Sequence, residues 1–209
     1  YLATVNAVAR IAKQDIEEYQ DIIEDVEATL VDRYFCNFSV FQSLPDSWAI
    51  DQLFPIMPIH RLNEEPTQRG TLQDVTCDSD GKIERFTGGR DGKRTLELHA
   101  LENGDPYILG IFLTGAYQEI LGDLHNLFGD TNAVHLRLSR NGESYEITDL
   151  VHGDTITEVL NYVQFDAQAL VATFRRKVQA AKHLSRQETN AFIADYIEGL
   201  AGYTYFEGD

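Results

Sequence analysis

The chain has 209 residues, 43% of them apolar and 11% aromatic, enough to bury a packed core and to exclude global disorder. Seventeen Lys and Arg against 34 Asp and Glu leave a net charge of −17. That balance repels nucleic-acid phosphates and anionic membrane surfaces and makes a cationic small molecule the more natural guest. No run of about 18 apolar residues is present to cross a bilayer. Tyr1 opens a polar helical pattern without the charged and apolar regions of a secretory signal, so the chain reads as part of a longer polypeptide. Cys36 and Cys77 are the two cysteines; their spacing does not suggest zinc and fits a reducing compartment.

In chain order, Val5, Val8, Ile11, Ile16, Tyr19, Ile22, Ile23, Val26 and Leu30 recur mostly at threes and fours, which predicts a long amphipathic helix from Thr4 to about Leu30, needing a partner surface. Residues 32–62 crowd aromatic and aliphatic side chains between Pro45, Pro55 and Pro58, a pattern for irregular, heavily packed chain. Thr71–Cys77, Lys82–Phe86 and Thr95–Leu101 read as short strands joined by Asp80-Gly81 and the glycine-rich run 88–92. The apolar run Tyr107–Leu113 suits a strand buried on both faces. Asn141-Gly142 between alternating apolar residues predicts a hairpin with a type I′ turn. Thr155-x-x-Glu158 and Ser185-x-x-Glu188 have capping-box spacing, and Asp166 is placed to cap Ala167–Lys182. The expected class is α+β: a helical segment at 1–33, a central, mostly antiparallel β-barrel or sandwich at 34–152, and C-terminal helices at 153–209 packing on it.

The stretch most able to carry chemistry is Asp74-Val75-Thr76-Cys77-Asp78-Ser79-Asp80-Gly81. A strand there delivers a thiol and carboxylates into a tight turn. Like charge disfavours a thiolate, so Cys77 suits giving a proton better than acting as a nucleophile. The blander reading makes Cys77 a small buried strand-end residue and the acids an Asx turn. A calcium loop fails at both ends: aligning Gly81 with the turn glycine puts Thr76 first and Thr87 twelfth, where a Glu is needed. In Gly115-Ala116-Tyr117 the glycine permits close approach and the phenol can meet an anion, although for an isolated tyrosine an ordinary half-buried aromatic is the commoner case. His125-Asn126 reads as structural, and His60, His99, His135, His152 and His183 lack metal-ligand spacing. None of Lys13, Lys82, Lys93, Lys177 and Lys182 reads as a desolvated Schiff-base lysine.

The run Tyr34–Pro58 (YFCNFSVFQSLPDSWAIDQLFPIMP), together with Asp74–Gly81, Gly115–Gly122, His125–Asp130 and the tail Gly199–Tyr205, resembles the biosynthetic arginine decarboxylases. The resemblance implies a pyridoxal-phosphate enzyme of the alanine-racemase-like type. In that type an N-terminal (β/α)₈ barrel holds the cofactor on a lysine and a C-terminal β-domain completes the site. This chain resembles the C-terminal part alone. By that resemblance Cys77 is the catalytic proton donor to the decarboxylated carbon, and Asp78 pairs with the distal cation of L-arginine. Asp80 is a second substrate-side acid, and Tyr117 meets the cofactor phosphate. The implied product is agmatine for polyamine synthesis, in a cytoplasmic homodimer or larger homo-oligomer sharing its active site across subunits and with the barrel portion, without nucleic-acid or membrane partners. Magnesium is implied by the family, with no ligand cluster in this sequence to name. The alternative is a non-catalytic acidic β-domain acting as an assembly or regulatory module.

Overall fold

The computed structural model describes residues 7, 10, 31–88, 92–102 and 104–207. The helix expected over Thr4–Leu30, and with it nearly all of the 1–33 segment, lies outside the described residues apart from Ala7 and Arg10. The remainder is mixed α+β. It divides into two compact units, one drawn from Tyr1–Val40 with Leu44–Ile120, the other from Phe41–Ser43 with Leu121–Asp209.

In the first unit, β1 (Asp32–Phe35) runs parallel to β3 (Gln68–Gln73), pairing Asp32 with Gly70 and Tyr34 with Leu72. On the opposite edge of β3, β4 (Lys82–Ile83) and β5 (Leu96–Leu98) pair antiparallel, Leu72 with Ile83 and Gly70 with Leu96. A second ladder joins β2 (Ile56–Pro58) to β6 (Leu109–Ile111), Ile56 opposite Ile111. The prolines act as their chemistry dictates: Pro45 sits in the first turn of the short helix α2 (Pro45–Ala49), which follows the single turn α1 (Val40–Ser43), and Pro58 lies in a two-stranded ladder. One core serves both sheets: Val40, Leu44, Phe54, Ile56, Leu72, Ile83, Phe86, Leu96 and Leu98 cluster, and Val40 and Leu98 are wholly inaccessible.

Two expectations need correction. The described strands form separate sheets of four, two and two strands, and no closed barrel exists among the described residues. Strands of two to seven residues, stopped by turns and prolines, end before they can close on one another. The run Tyr107–Leu113 is not buried on both faces: only Leu109–Ile111 forms a strand, all three half-buried, while Leu113 is 86% exposed. Pairing to β2 alone leaves it half covered.

The second unit holds the hairpin β7 (Ala133–Leu138) and β8 (Tyr145–Val151). Val134 faces Leu150, Leu136 faces Ile147 and Leu138 faces Tyr145, giving apolar cross-strand pairs around a register shift at His135/Leu136. The hairpin is where the sequence puts it, but the turn is not type I′. Gly142 has φ +71 while Asn141 is not in the left-handed region, and Gly142 N–H donates to the Ser139 carbonyl at 2.9 Å. The Asn141 carboxamide is engaged locally, accepting from Ser139 Oγ at 2.6 Å and donating to Glu143 at 2.7 Å, so a longer loop with glycine alone in the left-handed region is preferred.

Three helices follow: α4 (Ile156–Tyr162), α5 (Ala167–Ala180) and α6 (Arg186–Ala201). Both capping boxes form, at Thr155/Glu158 and Ser185/Glu188, and the Asp166 side chain accepts from Gln168 and Ala169 N–H. Helix α5 ends two residues before the expected Lys182. Phe174 and Tyr196 stack at 4.2 Å between centroids, and Thr157 Oγ1 donates to the Leu200 carbonyl at 2.6 Å. The tail is tied back by Gly129 N–H to Thr204 Oγ1 at 3.1 Å and by the Tyr205 hydroxyl to the Gly129 carbonyl at 2.9 Å. Hydrogen bonds from the Ser185 side chain and then its backbone N–H hold the Glu188 carboxyl below its ordinary range. Ser185→Ala removes the cap and is expected to destabilise α6 by about 1 kcal/mol. Amide exchange at residues 186–189 is the measurement; unchanged protection there would count against it.

Candidate functional site

The expected strand Thr71–Cys77 stops at Gln73, and the next side chain captures the Thr76 N–H just beyond it. Asp74 is 2% exposed. Its Oδ2 accepts from Val40 N–H at 2.9 Å, and its Oδ1 accepts from Thr76 N–H at 2.9 Å and from Thr76 Oγ1 at 2.7 Å. Such capture of backbone N–H groups competes with the ladder and turns the chain out of the sheet. The backbone closes beneath: Asp74 N–H donates to the Gly81 carbonyl at 2.8 Å, and Gly81 N–H to the Asp78 carbonyl at 3.1 Å. A Cβ on Gly81 would lie 2.1 Å from Asp74 Oδ1 and 2.7 Å from Thr76 Oγ1, so only glycine admits this approach.

On this scaffold Cys77 is exposed, Asp78 half-buried and Asp80 exposed. The structure therefore discards the reading of Cys77 as a buried strand-end residue, while keeping the Asx turn: Asp78 Oδ1 accepts from Asp80 N–H at 3.0 Å. The other thiol differs. Cys36 is half-buried, donates to the Tyr34 carbonyl at 3.6 Å, and burial pushes its pKa up to about 11, which leaves it protonated and inert. Asp80 faces a polar cleft of about 370 Å³ that Trp48, Asp51, Lys82, Arg85 and Arg94 also line. The three predicted residues thus share one turn, and of them Asp80 alone lines that cleft.

Tyr117 comes from another element, helix α3 (Ala116–Ile120). After β6, Leu113 takes φ +62, an uncommon conformation for a branched residue, and turns the chain into Gly115-Ala116-Tyr117. A Cβ on Gly115 would meet nothing within 4 Å, so this glycine is not forced by crowding within the chain. Tyr117 is 75% exposed, which places its phenol outside the half-buried environment of the ordinary reading. Beneath it Gln118 is 6% exposed, accepts from Asp46 N–H at 3.2 Å and donates to the Asp46 carboxylate. Gln118 pins α3, a role that sequence spacing did not reveal; Asp46 lies 72 residues away.

His125, read from the sequence as structural, has an orienting group. Asp123 Oδ1 accepts from His125 N–H at 2.8 Å and lies 2.7 Å from Nδ1. The backbone donor and then the ring lower the Asp123 pKa. Asn126 Nδ2 is 2.7 Å from His125 Nε2. Assigning Nε2 as acceptor puts the ring proton on Nδ1, facing Asp123. An i,i+2 Asp-x-His contact was the available signal. Among the described residues no group of three or more His, Cys, Asp or Glu is arranged to hold a metal ion, and no helix is long and apolar enough to cross a membrane.

Comparison with known proteins shows what this chain is similar to. The model for the arginine decarboxylase C-terminal helical extension matches residues 156–206. The biosynthetic arginine decarboxylase of Gloeobacter violaceus is 53% identical over 94% of this chain, and that of Thermosynechococcus vestitus 56% identical over 93%; the chain spans 31% of each. The crystal structure of the biosynthetic arginine decarboxylase from Campylobacter jejuni superposes with a TM-score of 0.74 at 34% identity, covering 85% of this chain and 29% of that one. The chain is homologous to the C-terminal third of the biosynthetic arginine decarboxylases.

Proposed function

We propose that the full-length protein carrying this chain converts L-arginine to agmatine and carbon dioxide in the cytoplasm, for polyamine synthesis, and that this chain lends Cys77 and Asp78 to an active site shared between at least two subunits. In this reading residues 34–152 act as the β-domain of the enzyme and 153–209 as a helical segment packing on it. The observation that carries the reading is the turn of exposed Cys77 and half-buried Asp78, held by a buried carboxylate, in a chain 49–56% identical to such enzymes. Asp78 offers a carboxylate whose geometry matches a guanidinium, and Cys77 holds a proton at Sγ for the carbon that loses its carboxyl group.

Pyridoxal phosphate, when bound, supplies the electron sink for decarboxylation. The residues described here do not by themselves make its site. Lys82, Lys93, Lys177 and Lys182 are all exposed; Lys82 pairs with Glu84 at 2.8 Å and Lys93 with Glu97 at 3.3 Å. None is desolvated, as a carbonyl-binding lysine is at neutral pH. Among the described residues the share assigned to this chain is the Tyr117 hydroxyl, offered to the phosphate beside uncrowded Gly115. Asp80, facing its own cleft, is assigned to the substrate side of the same turn. Magnesium has no supporting ligand group among the described residues.

The test is made on the full-length protein: pyridoxal phosphate is expected to produce a visible absorbance band and arginine-dependent release of carbon dioxide, and absence of both would remove the proposal. One observation favours the second reading, an assembly module. The apolar pairs of the β7–β8 hairpin are exposed, Leu138 at 72% and Tyr145 at 67%. That reading requires Cys77→Ala and Asp78→Ala to leave turnover unchanged while altering oligomer size.

A further inference from the structure

The Asp74 carboxylate is too deeply covered, at 2% exposure, to meet a substrate, yet a continuous line of hydrogen bonds leads from it to Asp78. The Thr76 hydroxyl has one proton to give. It gives that proton to Asp74 Oδ1 at 2.7 Å, which leaves its oxygen as the acceptor for Asp78 N–H at 3.3 Å. The Asp78 carboxylate is tethered in turn by Asp80 N–H at 3.0 Å. Gly81 leaves the space in which this line closes. We infer that Asp74, acting through Thr76, is a positioning residue that aims the Asp78 carboxylate; the inference rests on the proposed pairing of Asp78 with the guanidinium of arginine.

The hydroxyl works twice, as donor inward and acceptor outward. Valine at position 76 keeps the shape and removes both bonds, whereas serine keeps both and removes only a methyl group. Neither change touches a group that contacts substrate. A misaimed Asp78 weakens the grip on the distal cation more than it disturbs the reacting carbon, so the loss falls on KM rather than kcat.

The experiment uses the full-length holoenzyme and steady-state decarboxylation of arginine. Thr76→Val is expected to raise KM about tenfold with kcat within about threefold, Thr76→Ser to restore wild-type KM, and Asp74→Asn to move KM in the same direction as Thr76→Val. In an Asp78→Ala background Thr76→Val is expected to add nothing, since the two act as one unit. Equal losses in kcat and KM, a wild-type KM in Thr76→Val, additive effects in the double variant, or a Thr76→Val protein that fails to fold would each overturn the inference and leave the pair a purely structural brace. If Asp78→Ala itself leaves KM unchanged, the fault lies with the proposed pairing; if Asp78→Ala raises KM and Thr76→Val does not, only the positioning role is lost.

Discussion

Cys77→Ala in the full-length protein is expected to lower kcat for agmatine formation by about 10²- to 10⁴-fold, the range that a positioned proton donor contributes. The argument is one of position. Cys77 is exposed at the head of a turn whose backbone is fixed on both sides, by Asp74 N–H to the Gly81 carbonyl and by Gly81 N–H to the Asp78 carbonyl, so the backbone that carries its thiol is fixed while the side chain is open to solvent. The hydrogen bonds that join Asp74, Thr76, Asp78, Asp80 and Gly81 within the turn do not use Sγ. KM for arginine is therefore expected to stay within about threefold. Cys77→Ser, which keeps a weaker acid in the same place, is expected to fall between alanine and the parent. Cys36 is the control: its thiol is half-buried, directed to the Tyr34 carbonyl and held protonated by burial, so Cys36→Ala is expected to leave kcat within the same threefold. Single-turnover release of carbon dioxide separates this loss from effects on binding. A Cys77→Ala enzyme running at the parent rate would remove the proton-donor role.

Local chemistry was the part of this molecule that could be read directly. The caps at Thr155, Asp166 and Ser185 were legible because a cap is a contact across two or three residues, with oxygen and N–H already in register. The β7–β8 hairpin was legible from its alternation and its Asn-Gly, but not its turn type, which Ser139 and Glu143 settle by engaging Asn141. The Cys77 turn was visible as a cluster, yet its support was not. Asp74 looked like one more acid in a chain with 34 of them, and its burial depends on Val40 N–H, 34 residues away in sequence. Gln118 and Asp46 escaped notice for the same reason, being joined across 72 residues. Long-range pairing also decided the sheets: nothing in the run Tyr107–Leu113 says that it will find one partner strand instead of two.

Asp78→Ala is expected to lower kcat/KM for arginine by about 10²-fold, the low end of what truncating one partner of a hydrogen-bonded charge pair costs, because Asp78 is half-buried and water softens the loss. Most of the change is expected in KM, since the distal cation lies away from the bond that breaks. Cofactor affinity, read from the absorbance titration, is expected to move by less than about threefold, because Asp78 and the Tyr117 hydroxyl sit on separate elements, the turn after β3 and helix α3. That separation distinguishes a substrate contact from a general loosening of the domain, which would weaken both. Asp78→Asn sharpens the point by keeping shape and hydrogen-bonding capacity while deleting charge: if the carboxylate selects the guanidinium by charge, the amide fails nearly as badly as alanine. Parent-like kcat/KM in Asp78→Asn would show that the acid is there to close its own turn through Asp80 N–H, and the specificity for a cationic substrate would then have to reside elsewhere in the enzyme.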